Sequence, residues 1–178
     1  LILEKSDSVG GVWRENRYPG SACDAPSHLY SFSFEPRADW PHRFAKQPDI
    51  LDYLEHCARK YALAPHMRFR GEVIEAVWDE TRSLWRVQTG DGQTFEAQSL
   101  VTATGQLSRP FRPQLPGLAS FAGTSFHSAE WPQDCDLRDK SVAVIGTGAS
   151  AIQFVPEVAP LVRKLYVFQR SAPYVLRK

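Results

Sequence analysis

The stretch Ser141-Val142-Ala143-Val144-Ile145-Gly146-Thr147-Gly148-Ala149-Ser150-Ala151 decides the fold. Ser141 to Ile145 reads as a strand, with Val142-Ala143-Val144-Ile145 an apolar run of the kind that fills a buried parallel strand. The run enters Gly146-x-Gly148-x-x-Ala151, and a helical stretch follows from Ala149 to Val162, bent or shortened by Pro156 and Pro160. Leu165 to Arg170 reads as the next strand. Strand, glycine loop, helix and strand in that order make a βαβ unit of α/β class. In such a loop Gly146 permits the tight turn, Gly148 lets backbone approach a pyrophosphate, and the small Ala151 lets the helix pack close on the strand. Gly146, Thr147, Gly148, Ala149, Ser150 and Ala151 together offer N–H groups and positive partial charge to an anion. A glycine turn without a ligand is the bland alternative. Arg170 closes the second strand, where an acid would bind the ribose 2′-hydroxyl of NAD. A cation there suits the 2′-phosphate of NADP, and Ser171 adds a hydroxyl. A surface arginine at a strand end is the alternative.

The same pattern recurs at the start. Leu1-Ile2-Leu3-Glu4 is an apolar run ending on an acid, as in a strand whose carboxylate holds the ribose of a second nucleotide such as FAD; a solvated glutamate is the alternative. The matching glycine loop would then precede residue 1. The chain accordingly reads as a window from a longer protein, with Arg177-Lys178 falling without a closing element. Between these ends, Pro48 to Leu63 reads as an amphipathic helix with Ile50, Leu51, Leu54, Cys57, Ala58 and Tyr61 at three- and four-residue spacing. Tyr53 and Tyr61 are expected in the core. Val73–Trp78, Leu84–Thr89 and Thr94–Glu96 read as strands, with Asp91-Gly92 as a hairpin signal and Trp78 packing with Trp85 in the core. Leu100 to Gly105 reads as another buried strand. From Ser8 to about Phe34 the chain reads as a loop longer than usual, which points to function, and Arg109 to Pro132 reads as loop punctuated by Pro110, Pro113, Pro116 and Pro132.

Composition narrows the classes. Of 178 residues, 43% are hydrophobic and 12% aromatic, too much apolar surface for a disordered chain. No apolar run approaches the roughly 18–20 residues of a membrane-spanning helix. A net charge of +1 gives no electrostatic case for nucleic acid. Cys23, Cys57 and Cys135 are far apart and contain no CxxC, which argues against a disulfide framework or a zinc site and for a reducing, cytoplasmic setting.

Two further motifs carry a resemblance. Gly10-Gly11-Val12-Trp13-Arg14-Glu15-Asn16-Arg17-Tyr18-Pro19-Gly20-Ser21-Ala22-Cys23-Asp24 resembles the long fingerprint of Baeyer–Villiger monooxygenases, meeting it at Gly10, Gly11, Trp13, Tyr18, Pro19, Gly20 and Asp24. Phe121 to Pro132 resembles their short fingerprint, FxGxxxHxxxWP, placed just before the dinucleotide loop as the family requires. Ala103-Thr104-Gly105 is similar to the ATG strand end of flavoproteins with two dinucleotide-binding domains. The resemblance implies FAD and NADPH bound by two Rossmann-like domains. Residues 1–108 would be part of the FAD domain, lacking its first βα unit; 109–139 a linker with the short fingerprint; 140–178 the start of the NADP domain. It implies insertion of one oxygen of O2 beside the carbonyl of a small ketone, giving an ester or lactone.

By motif position, Glu4 would bind the FAD ribose, Gly11, Trp13 and Tyr30 would surround the flavin, and backbone near Val73 would meet the adenine end. Asp24 would lie at the nicotinamide–flavin junction, paired with a catalytic arginine beyond residue 178. His127 would act in the interdomain hinge as a conformational element rather than an acid or base. Each has a structural alternative: Trp13 and Trp131 as core aromatics, Tyr30 on one side of an alternating strand, Asp24 as a turn cap, His127 as a hydrogen-bonded structural residue. An N- or S-oxygenating flavin monooxygenase is the neighbouring reading, and Trp131 argues against it. A non-catalytic nucleotide-binding piece is the alternative for these 178 residues alone.

Overall fold

The computed structural model describes residues 1–174, so Arg177-Lys178 lie outside it. Its elements are β1 (Ile2–Leu3), α1 (Val12–Glu15), α2 (Gln47–Lys60), β2 (Met67–Arg68), β3 (Val73–Asp79), β4 (Leu84–Thr89), β5 (Thr94–Ala97), β6 (Ser141–Ile145), α3 (Ala149–Val158) and β7 (Lys164–Phe168), with short 3-10 turns between some of them. The chain divides into two compact units, Leu1–Gly11 with Leu51–Ser108, and Val12–Ile50 with the chain from Arg109 onward.

In the first unit β1 pairs in parallel with β2, Ile2 opposite Met67. The ladder extends past both strands: Glu4 N–H donates to the Arg68 carbonyl at 3.0 Å and Gly71 N–H to the Glu4 carbonyl at 2.9 Å. The predicted helix is present as α2 but stops at Lys60, short of Leu63. Ala62 takes a left-handed conformation (φ 49°), so that Ala62 N–H reaches the Arg59 carbonyl and Leu63 N–H the Ala58 carbonyl, both at 3.0 Å. This is the Schellman closure, normally made by glycine. Tyr53 is buried as expected, whereas Tyr61, beyond the closure, is 41% exposed rather than in the core.

Strands β3, β4 and β5 form an antiparallel meander. The turn between β4 and β5 is held by two side-chain contacts to Asp91. Thr89, fully buried, donates from Oγ1 to Asp91 Oδ1 at 2.5 Å, and the Arg68 guanidinium meets Asp91 Oδ2 at 2.7 Å. Trp78 stands directly opposite Trp85, rings 5.6 Å apart, but Trp78 is exposed: the pair is a cross-strand contact on an open face and not core packing. The expected strand at Leu100–Gly105 does not form. No backbone group among the described residues pairs with that segment, and Val101 is 86% exposed. A continuous apolar run becomes a strand only where a ladder partner meets it.

The second unit holds the βαβ element. β6 pairs in parallel with β7, Ser141 opposite Lys164 and Ile145 opposite Phe168, with α3 as the crossover. α3 ends at Val158 rather than Val162, two residues before Pro160, which cannot continue a helix. β7 ends at Phe168 rather than Arg170, because β6 runs out into Gly146, whose N–H makes the last rung to the Phe168 carbonyl at 2.9 Å. Tyr18, Val144, Ala151, Phe154 and Val158 form the core, flanked by Trp131, Leu137, Val142 and Leu165.

Ala62→Gly removes the steric cost of a left-handed alanine. It should stabilise the protein by about 0.5–1 kcal/mol and raise Tm by a few degrees. A lower Tm in a thermal melt would contradict the Schellman reading of the α2 terminus.

Candidate nucleotide site and fingerprint segments

The dinucleotide loop has the backbone its glycines foretell. Gly146 has φ 107°, a conformation other residues rarely adopt, and Gly148 forms the N-cap of α3. A Cβ on either would meet nothing within 4 Å, so both face open space at the helix start. Ile152 N–H is the first to bond back into the helix, to the Gly148 carbonyl at 3.1 Å. The N–H groups of Ala149, Ser150 and Ala151 thus lie in the first turn, where helix geometry leaves donors for an anion. Thr147 sits between the glycines, half-buried, and Ala151 is buried in the core, as close helix–strand packing requires. Open space beside two glycines at a helix N-terminus fits a pyrophosphate. Arg170 and Ser171 follow β7 and are exposed, leaving the guanidinium available to a further phosphate.

The long fingerprint folds onto this element. Tyr18 packs edge-on against Phe154 of α3, centroids 6.1 Å apart, and its hydroxyl donates to Gln153 Oε1 at 3.0 Å. The same amide meets Ala22 twice: Ala22 N–H donates to Oε1 at 3.3 Å, and Nε2 donates to the Ala22 carbonyl at 2.7 Å. Gly20 passes so close that a Cβ would lie 2.7 Å from the Gln153 carbonyl oxygen, and its φ is 75°. Crowding and conformation both demand glycine there. The short fingerprint also reaches α3, at Phe154. Trp131, half-buried, lies 5.3 Å from Phe154 and 5.1 Å from Phe126 and packs against the core.

Other expected site residues are placed as follows. Trp13 and Tyr30 come together: the indole N–H donates to the Tyr30 hydroxyl at 3.0 Å, with the rings edge-on. The Gln47 side-chain amide donates to the Trp13 carbonyl. Tyr30 follows a 3-10 turn, Ser27–Leu29, and is not part of an alternating strand. Asp24 is exposed and accepts no hydrogen bond or ion pair among the described residues. It does not cap a turn, because the residue two ahead, whose N–H an Asx turn uses, is Pro26. His127 caps the 3-10 turn Ser128–Glu130, its Nδ1 accepting from Ala129 N–H at 3.1 Å. That bond leaves the other ring nitrogen carrying the proton in the neutral imidazole.

In the first unit Glu4, half-buried at the end of β1, accepts Ser6 N–H on Oε1 at 2.8 Å; its second oxygen has no partner among the described residues. Gly11 (φ 50°) faces open space, and Val73 opens β3, half-exposed. Near the short fingerprint, burial first, then the carboxylates of Asp134 and Asp136, push the Cys135 thiol above its ordinary range.

A model of flavin-binding monooxygenase-like proteins matches residues 1–178. The chain belongs to this family. It is 51% identical over its whole length to a Baeyer-Villiger monooxygenase of Pseudomonas aeruginosa, of which it covers 34%. Cyclohexanone monooxygenase in its loose, epsilon-caprolactone-bound form superposes with a TM-score of 0.92 at 40% identity, over 97% of this chain and 34% of that one. The enzyme of Rhodococcus sp. Phi1 bound to NADP+ gives 0.90 at 42% identity, over 97% and 33%. The fold is therefore that of part of a dinucleotide-binding flavoprotein of mixed α/β class, and the chain spans about a third of the length of the curated relatives it matches. Within this family member, sequence reading missed Gln153 and Phe154, the residues on which the fingerprints converge. Gln153 flanks the apolar face Ala151, Phe154, Val158, and no local pattern marks it.

Gly20→Ala should cost about 2–4 kcal/mol through the clash and the left-handed backbone, whereas Gly148→Ala should change stability by less than about 0.5 kcal/mol. Equal melting temperatures for the two variants would contradict the packing described.

Proposed function

We propose that the protein is an FAD- and NADPH-dependent monooxygenase of Baeyer–Villiger type, converting a ketone with O2 to an ester or lactone. The observation that carries this is the exposed carboxylate of Asp24, without a hydrogen-bond or ion-pair partner among the described residues, on a fingerprint segment held against the helix of a dinucleotide loop. Gly146, Gly148 and the first turn of α3 would hold the NADPH pyrophosphate, and Arg170 with Ser171 its 2′-phosphate. The free oxygen of Glu4 would accept an FAD ribose hydroxyl, with backbone near Val73 toward the adenine. Gly11, Trp13 and Tyr30 would line the flavin. Once bound, the two cofactors supply hydride transfer and oxygen activation. The chain's own contribution is to bind, orient and exclude water. Asp24 would hold a cationic partner from elsewhere in the full-length protein, and His127, engaged in its turn, would act in the hinge rather than move a proton. We place the protein in the cytosol, where its free thiols Cys23, Cys57 and Cys135 remain reduced.

The test is turnover by the full-length protein. NADPH consumption with cyclohexanone should yield a product heavier by one oxygen, and a heteroatom substrate oxidised with no ketone turned over would overturn the Baeyer–Villiger reading. Arg170→Ala should weaken NADPH by about 10- to 100-fold and NADH far less, because a charge-assisted bond is worth about 1.5–3 kcal/mol. Equal loss for both coenzymes, measured as Kd, would refute the assignment of Arg170. Asp24→Ala should leave Tm and flavin content nearly unchanged, since the carboxylate is exposed and bonds to none of the described residues, while ester formed per NADPH falls and hydrogen peroxide rises. Normal coupling would end the functional reading of Asp24.

A further inference from the structure

We propose that Gln153 is a positioning residue that couples occupancy of the dinucleotide loop to the segment bearing Asp24. The inference rests on the function proposed above and extends it to a residue outside both fingerprints and outside Gly146–Ala151.

The geometry is that of a side chain standing in for a strand. Residues 21–23 pair on one edge with residues 45–47: Cys23 N–H donates to the Ala45 carbonyl at 2.8 Å, Gln47 N–H donates to the Ser21 carbonyl at 2.9 Å, and Ala22 faces Lys46 in an antiparallel bridge. In that pattern the N–H and carbonyl of the middle residue, Ala22, point to the opposite edge. Gln153 meets both there, at 3.3 and 2.7 Å. A primary amide is the side-chain group that can accept from an N–H and donate to the carbonyl of the same residue, as a neighbouring strand would. Its Oε1 also takes the Tyr18 hydroxyl, fixing the segment at a second point four residues earlier.

Both ends of this link are functional. Gln153 belongs to α3, whose first turn carries the anion-binding N–H groups. Ala22 is separated from Asp24 by Cys23 alone, which is buried and pinned by its own N–H. Asp24 makes no side-chain hydrogen bond or ion pair among the described residues, so the register of its carboxylate is inherited from Ala22 and Cys23. Tyr18 and Phe154 would bury apolar area without the amide. The bidentate contact to Ala22 adds no such burial, and what it fixes is the position of a backbone.

Amide hydrogen exchange in the full-length protein, with NADP+ as the probe, tests the coupling. In the wild type, saturating NADP+ should slow exchange across residues 21–24 by about tenfold. In Gln153→Leu, NADP+ should bind within about threefold of the wild-type Kd, since loop and Arg170 are intact, but exchange at 21–24 should no longer respond. Retained NADP+-dependent protection in the variant, or a collapse of NADP+ affinity, would overturn the proposal. If the variant does not fold, the wild type decides: an Ala22 amide that exchanges at the same rate with and without NADP+ refutes the coupling. A wild type that binds no NADP+ by titration refutes the proposed function itself, so the two failures are told apart.

Discussion

The amide of Gln153 carries the organisation of the second unit. Three hydrogen bonds, to Tyr18 and to both backbone groups of Ala22, tie the fingerprint to α3. Each is worth about 0.5–1.5 kcal/mol net, a modest sum beside the aromatic burial around Phe154. Direction is what burial lacks. Phe154 accepts Tyr18 and Trp131 by contact alone, but only the amide specifies which backbone atoms of the fingerprint face the helix. Gly20 follows from this, because the chain can come that close to Gln153 only without a Cβ.

The dinucleotide element was legible because its requirements are local. A strand needs an apolar run, a tight turn needs Gly146, close packing needs Ala151, and all fall within a dozen residues. The antiparallel meander was legible for a similar reason, since Asp91-Gly92 marks its β4–β5 turn, with Gly92 at φ 82°. The resemblance carried Trp13 and Tyr30 as one site, and the indole–phenol hydrogen bond brings them together.

What the sequence concealed depends on distant partners. Gln153 lies more than a hundred residues from Tyr18 and Ala22, and nothing local distinguishes it from a solvated glutamine on a helix flank. The parallel partner of β1, the two residues Met67–Arg68, carries no pattern of its own. Leu100–Gly105 shows the converse: its apolar run encodes readiness for a ladder, and the ladder requires a neighbour. Helix ends were misjudged where alanine took the conformation usually left to glycine, at Ala62. Nor did sequence indicate that residues 12–50 pack with the later chain, since that grouping is made by Tyr18 and Gln153 rather than by proximity along the backbone.

The central claim is that the amide of Gln153 bonds directly to the fingerprint and does more than share a core with it. A double-mutant cycle on the stability of Tyr18→Phe, Gln153→Leu and the pair measures this directly. The account predicts that the two substitutions are non-additive by about 0.5–1.5 kcal/mol, since each removes the same hydroxyl–amide bond. Additive effects would show that Tyr18 and Gln153 act independently and would contradict it.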